Sequence, residues 1–201
     1  MKYNLQKGKF VKQSICLVAL SISAIFFASC SDKSDNVKPL GQVRLEYPKP
    51  TYTNFNENTP YTFQFTSIGK IKPGKEANWY IINYPSMKAN IFLTYFPITS
   101  KQDLVIKIKD SERFVQEQTV KASFISPQIF EFPEKRVFGT LYELGGESAI
   151  NLQFHATDSI KNFISGSVYF STIPKADSLA PAVEYIKKDV QHLIETLKWT
   201  K

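Results

Sequence analysis

The chain has 201 residues, with 25 Lys and Arg against 18 Asp and Glu for a net charge of +7, and it holds two cysteines and two histidines. Two cysteines cannot build a disulfide framework, and two histidines without HExxH-type spacing argue against a zinc hydrolase. The charge is unevenly placed, since Lys2, Lys7, Lys9 and Lys12 all precede one apolar run, ICLVALSISAIFFASC at residues 15–30.

A basic start followed by a 14-residue apolar stretch and small residues reads as a secretory signal. The stretch is too short to span about 30 Å of hydrocarbon, which takes roughly 20 residues. Its end, Phe27-Ala28-Ser29-Cys30, resembles a bacterial lipobox, with Phe27 where Leu or Val is usual. Cleavage there makes Cys30 the first residue and its acylation site. The alternative is an ordinary signal peptide that leaves Cys30 a free thiol, an awkward group for an exported protein. Two or more acyl chains hold a protein stably at a membrane, where one does not. The expected organisation is a signal peptide over 1–29, the acylated cysteine with a polar tether over 30–40, and one domain over 41–201.

Without the signal, 21 basic residues stand against 18 acidic ones, a net charge of +3. That is too balanced to argue for a nucleic-acid partner. Cys16 leaves with the signal and Cys30 is consumed, so disulfides, thiolate metal sites and cysteine nucleophiles are excluded from the folded part. A domain of this size buries roughly 70 % of its chain surface and can stand on its core alone.

Alternation of Val43, Leu45 and Tyr47 predicts a first strand, broken by Pro48 and Pro50. Residues 61–66 alternate cleanly, and Gly69, Pro73 and Gly74 mark a turn. Strands follow over 79–84 and 89–96. In the second, Ala89, Ile91, Leu93 and Tyr95 point one way, while Phe92 and Phe96 point the other. Such a strand is covered on both faces or offers one to a partner. Leu104, Ile108 and Val115, with Ser111 on the same stripe, predict a weakly capped helix over 101–118. Strands are then expected over 121–126, 136–144, 149–157 and 162–170, with Gly145-Gly146 as a hairpin signal. A last helix over 178–199 has Val183, Ile186, Val190, Leu193, Ile194 and Leu197 on one stripe, Asp177 or Ser178 as cap and Pro181 in its first turn. Hairpins without βαβ alternation indicate an α+β fold, an antiparallel β-sheet with helices packed on its faces. The outline is similar to the Mog1/PsbP-like αβα sandwich.

The search for chemistry returns little. His155, on the polar face of its strand, and His192, on the outer face of the last helix near Asp189 and Glu195, are both expected at the surface. GGESA at 145–149 lacks the strand–turn–helix context of a nucleophile elbow. Glu131 and Glu134 flank Pro133 and read as solvated loop acids. No phosphate loop, calcium loop or dinucleotide fingerprint is present, so no cofactor or metal is expected. Aromatics number 24 among residues 30–201. Most belong to a sheet core, and Phe92, Phe96 and Tyr142 are candidates for a protein-binding surface. Ser159 and Ser178, each in an Asp-Ser-aliphatic triplet, are candidate O-glycosylation sites, although turns and helix caps favour the same dipeptide.

Three blocks resemble the gliding-motility lipoprotein GldD family: NWYIINYPSMKANIFLTYFPI at 78–98, KRVFGTLYELGGESAINLQFHATDSIKNFISGSVYF at 135–170, and PKADSLAPAVEYIKKDVQHLIETLKW at 174–199. The resemblance implies a lipoprotein of the Bacteroidota cell envelope, needed for gliding and implicated in type IX secretion. The family brings no catalytic residues, and only Cys30 carries over, as the acylation site. The implied role is non-enzymatic: anchored by acyl chains in the outer membrane, the protein would contact proteins of the gliding and type IX secretion machinery. The alternative is an envelope enzyme or glycan-binding module with a pocket near His155 and Asp158.

Overall fold

Alternation and proline placement decide the strands of this chain, and a computed structural model describes residues 47–171 and 176–200. The expected signal peptide and tether, Cys30, and the strand expected around Val43 and Leu45 lie outside the described residues. The strands are β1 (Tyr52–Phe55), β2 (Tyr61–Thr66), β3 (Lys70–Pro73), β4 (Tyr80–Tyr84), β5 (Ala89–Pro97), β6 (Ala122–Phe132), β7 (Val137–Gly146), β8 (Ile150–Thr157), β9 (Asn162–Phe170) and β10 (Lys198–Trp199). Helix α1 (Lys101–Gln116) continues into a 3₁₀ turn at Glu117–Val120, and helix α2 is Ala176–Thr196. The fold is α+β.

Seven strands pair antiparallel in the order β3-β4-β5-β9-β8-β7-β6, and β1-β2-β10 form a second, small sheet. The two faces of the large sheet read directly from alternate residues. Ile82, Ile91, Leu93, Leu141, Leu152, Phe154, Ile164 and Val168 enter one core cluster with Val183, Ile186, Val190, Leu193 and Ile194 of α2 and Leu197 just beyond it. Phe55, Tyr61 and Phe63 of the small sheet join that cluster, with the Phe55 ring against Tyr80 and the Tyr61 ring against Tyr95. Helix α1 lies over β8 and β9 from the opposite face, where Ser111 meets His155. Each fully buried Leu, Ile or Phe contributes about 1.5–3 kcal/mol.

Two strand reversals use one device. Pro85–Met87 and Pro133–Lys135 each form a 3₁₀ turn, closed by Lys88 and Arg136 at φ 50° and 54°. Gly139 is required by close approach, because a Cβ there would sit 1.9 Å from the His155 carbonyl oxygen.

Several expectations need correction. The segment read as a turn from Gly69 to Gly74 contains β3, whose lysines and proline suit an exposed edge and hide the strand pattern. Strand β6 does not stop at Ser126 but runs to Phe132, taking in Pro127 and Glu131; an edge strand paired only with β7 tolerates that proline. Helix α1 is well capped: Ser100 Oγ accepts from Asp103 N, and Asp103 Oδ2 accepts from Thr99 N. Helix α2 begins at Ala176, which leaves Pro181 inside it and its expected caps within the first turn, and it ends at Thr196 so that Trp199 belongs to β10.

Candidate functional site

The face of the large sheet that carries α1 is only partly covered. The helix lies chiefly over β8 and β9, and it reaches β5 through Lys107, whose ammonium stands over the Phe96 ring. On that side Phe92, on the interior strand β5, stays 36 % exposed.

Two adjoining clefts of about 290 Å³ each occupy this ground. The first runs along α1, with Phe96, Phe114 and Phe163 as walls, Gln153, Ser165 and Ser167 as floor, and Lys107 and Asp110 at the rim. Lys107 Nζ stands 4.7 Å over the Phe96 ring. The floor satisfies itself, since Gln153 Nε2 donates to Ser165 Oγ at 2.9 Å and Ser167 Oγ donates to Gln153 Oε1. The second cleft is apolar and is lined by Trp79, Ile81 and Phe92, with Gly74 and Lys75 at its edge. Trp79 is pinned there: its Nε1 donates to the Tyr95 carbonyl at 3.0 Å and its ring meets Phe96 edge-on at 5.9 Å. Phe92 meets Tyr169 edge-on at 5.5 Å. Thr94 lines both clefts, so together they form one aromatic groove.

The structure thus brings Phe92 and Phe96 together and adds Trp79, Phe114, Phe163 and Tyr169. Tyr142 does not join them. It sits on β7, beyond β9 and β8, with its ring 6.4 Å from His155.

His155 is not at the surface. It is buried beneath α1, its Nδ1 3.3 Å from Ser111 Oγ and its ring stacked on Phe163 at 5.6 Å. The alternation that looked polar-outward is polar-under-a-helix. Burial drives the His155 imidazole down to about 4, so it is neutral near pH 7. Asp158 does not share a cleft with it. Its Oδ1 accepts from the backbone N–H groups of Ile160, Lys161 and Asn162, and its Oδ2 from Asn162 Nδ2. Burial pushes this carboxyl up, but the donations from Asn162, Ile160 and Lys161 outweigh it and hold it below the ordinary value.

His192 is half-buried, with its ring stacked on Tyr52 and its Nε2 2.8 Å from Gln64 Oε1. Glu131 lies in β6 and Glu134 in a 3₁₀ turn. Ser159 is exposed at φ 65° in the Asp158 turn, and Ser178 is exposed near the start of α2. Cys30 lies outside the described residues. Among the described residues no three of His, Cys, Asp and Glu converge to hold a metal, and no helix is long and apolar enough to cross a membrane.

Alternation on β5 was enough to find Phe92 and Phe96. Trp79 just before β4, Ser165 and Ser167 on β9, and Phe114 on α1 join the groove only through strand order and helix placement, which carry no local signal. No curated protein sequence matches the chain. A family profile described as gliding motility lipoprotein GldD matches residues 32–199. The chain therefore belongs to the gliding motility lipoprotein GldD family.

Proposed function

We propose that this gliding motility lipoprotein is a non-enzymatic adaptor, anchored by acyl chains on Cys30 to the outer membrane and holding a protein of the gliding and type IX secretion machinery in its aromatic groove. The observation that supports the groove is Phe92, 36 % exposed in one cleft with Trp79, whose ring meets Phe96 edge-on. Aromatic anchors in a pocket, rimmed by charge such as Lys107 and Asp110, are the composition of interface hot spots. The anchor rests on the Phe27-Ala28-Ser29-Cys30 motif together with the family description. A clean deletion is expected to abolish surface spreading and secretion, with a Phe92→Ser, Phe96→Ser double variant reproducing that loss at normal protein level. Spreading at the wild-type rate in either strain contradicts the proposal.

A hydrolytic reading has one observation in its favour, Ser111 Oγ, which lines the groove, 3.3 Å from Nδ1 of the buried His155. A histidine neutral down to about pH 4 is a weak general base, so the adaptor reading stands ahead of it. Normal spreading of a Ser111→Ala strain is the expected result, and loss of spreading by that strain with the fold intact would favour hydrolysis.

A further inference from the structure

A further cleft, of about 660 Å³, lies away from the aromatic groove. It opens between the β1–β2 loop, Asn78 ahead of β4, the end of β5 and the turn after Asp158. Its size suits a small ligand, for which sites of roughly 300–1,000 Å³ are usual.

The walls are held rigidly. Asn162 is locked from both ends of its amide, accepting from the Tyr95 hydroxyl and donating to Asp158 Oδ2, each at 2.7 Å. Lys161 is fixed through its backbone, with N–H donated to Asp158 Oδ1 and carbonyl accepting from Ile98 N. Asn78 adopts φ 64° while its carbonyl accepts the Tyr61 hydroxyl at 2.6 Å. Against this rigid frame, the side-chain amides of Asn58 and Asn78 and the Lys161 ammonium bond to no described residue. Lys161 is also the only charged residue among those lining the cleft.

That set of groups selects a ligand class. Two free amides, each donor and acceptor, suit a molecule dense in hydroxyls. One ammonium suits a single carboxylate; a phosphate dianion would call for more cations or free backbone N–H groups. The turn cannot capture a peptide C-terminus in its backbone N–H groups, because Asp158 already occupies those of Ile160, Lys161 and Asn162. We infer that this cleft binds an acidic saccharide, with the sugar hydroxyls on Asn58 and Asn78 and its carboxylate on Lys161.

The test is a titration of the full-length protein in detergent micelles, followed by amide NMR shifts, with D-glucuronate, D-glucose, acetate and inorganic phosphate as probes. Glucuronate is expected to give saturable shifts at Asn78, Lys161 and Asn162 at millimolar concentration, with glucose binding more weakly. Lys161→Gln should weaken glucuronate about tenfold or more and leave glucose unchanged. Asn78→Gly, which keeps the positive φ and removes only the amide, should weaken both sugars. Neither variant removes a side-chain hydrogen bond of the fold, so spectra outside the cleft should be unaltered. Absence of saturable shifts with glucuronate overturns the assignment. So does glucuronate binding that is indifferent to Lys161→Gln, or acetate or phosphate matching glucuronate in affinity, which would leave a bare anion subsite.

Discussion

The Tyr52 ring lies flat on His192, centroids 3.6 Å apart, while the Tyr52 hydroxyl donates to Asp189 Oδ1 at 3.1 Å. Asp189 Oδ2 accepts from Tyr84 at the same distance, so one buried carboxylate on α2 ties β1 of the small sheet to β4 of the large one. Burial pushes the Asp189 carboxyl up, against the donations from Tyr52 and Tyr84. A carboxylate in such a place depends on its donors. Tyr84→Phe removes one of the two and should destabilise the chain by about 1–3 kcal/mol. Urea unfolding measures it, and the same substitution in an Asp189→Leu background should cost less.

His155 makes stability fall on mild acidification. In the folded chain burial holds its imidazole at about 4, against 6.5 in the unfolded chain. Below pH 6.5 the unfolded state takes up a proton that the folded state refuses, so stability declines as pH drops towards 4 and this contribution then levels off. The full effect is on the order of 3 kcal/mol. Asp189, whose carboxyl is raised, works in the opposite sense, gaining stability as pH falls through its folded value. Asp158, whose carboxyl is lowered, loses its contribution only below its ordinary value of 3.8. Subtracting the pH profile of His155→Gln from that of the parent protein isolates the histidine, and the difference should grow from pH 6.5 to 4.

Gly139 should tolerate no side chain. An added Cβ would lie 1.9 Å from the carbonyl oxygen of His155, a backbone atom in the middle of the sheet that cannot swing aside. Gly139→Ala is expected to cost about 3 kcal/mol or more through forced strand separation. Pulse proteolysis of the full chain would register it as a marked loss of the folded fraction.

Removal of the proposed acylation site should relocate the protein without unfolding it. Cys30 lies outside the described residues and the core cluster contains no cysteine. Cys30→Ala is expected to move the protein from the membrane pellet to the soluble fraction after cell lysis, at an unchanged melting temperature. Two acyl chains separate stable from marginal anchoring, so the shift should be nearly complete.

Much of the fold was legible because β2, β5, β9 and the α2 stripe carry strong periodicity, and the residues read as buried on α2 are the ones that fill the core. Strands β1 and β3 were not, since Tyr52–Phe55 and Lys70–Pro73 are short edge segments whose polar residues face solvent. Pro127 hid the second half of β6 for the same reason. Of the groove, Phe92 and Phe96 were visible from alternation on one strand, whereas Trp79 and Phe114 reach it through tertiary placement. His155 is buried and His192 is half-buried, for one cause. A polar strand face and a polar helix face look solvent-directed locally, yet α1 covers His155 and Tyr52 covers His192.

The central claim, that the groove beside α1 is where a machinery protein sits, is tested most directly by site-specific photocrosslinking in living cells. A benzophenone side chain placed at residue 92 should give a discrete adduct with one envelope protein, lost in the Cys30→Ala strain, while the same probe at exposed Lys121 gives none. No adduct from residue 92 at normal expression, or the same adducts from both positions, would contradict the account.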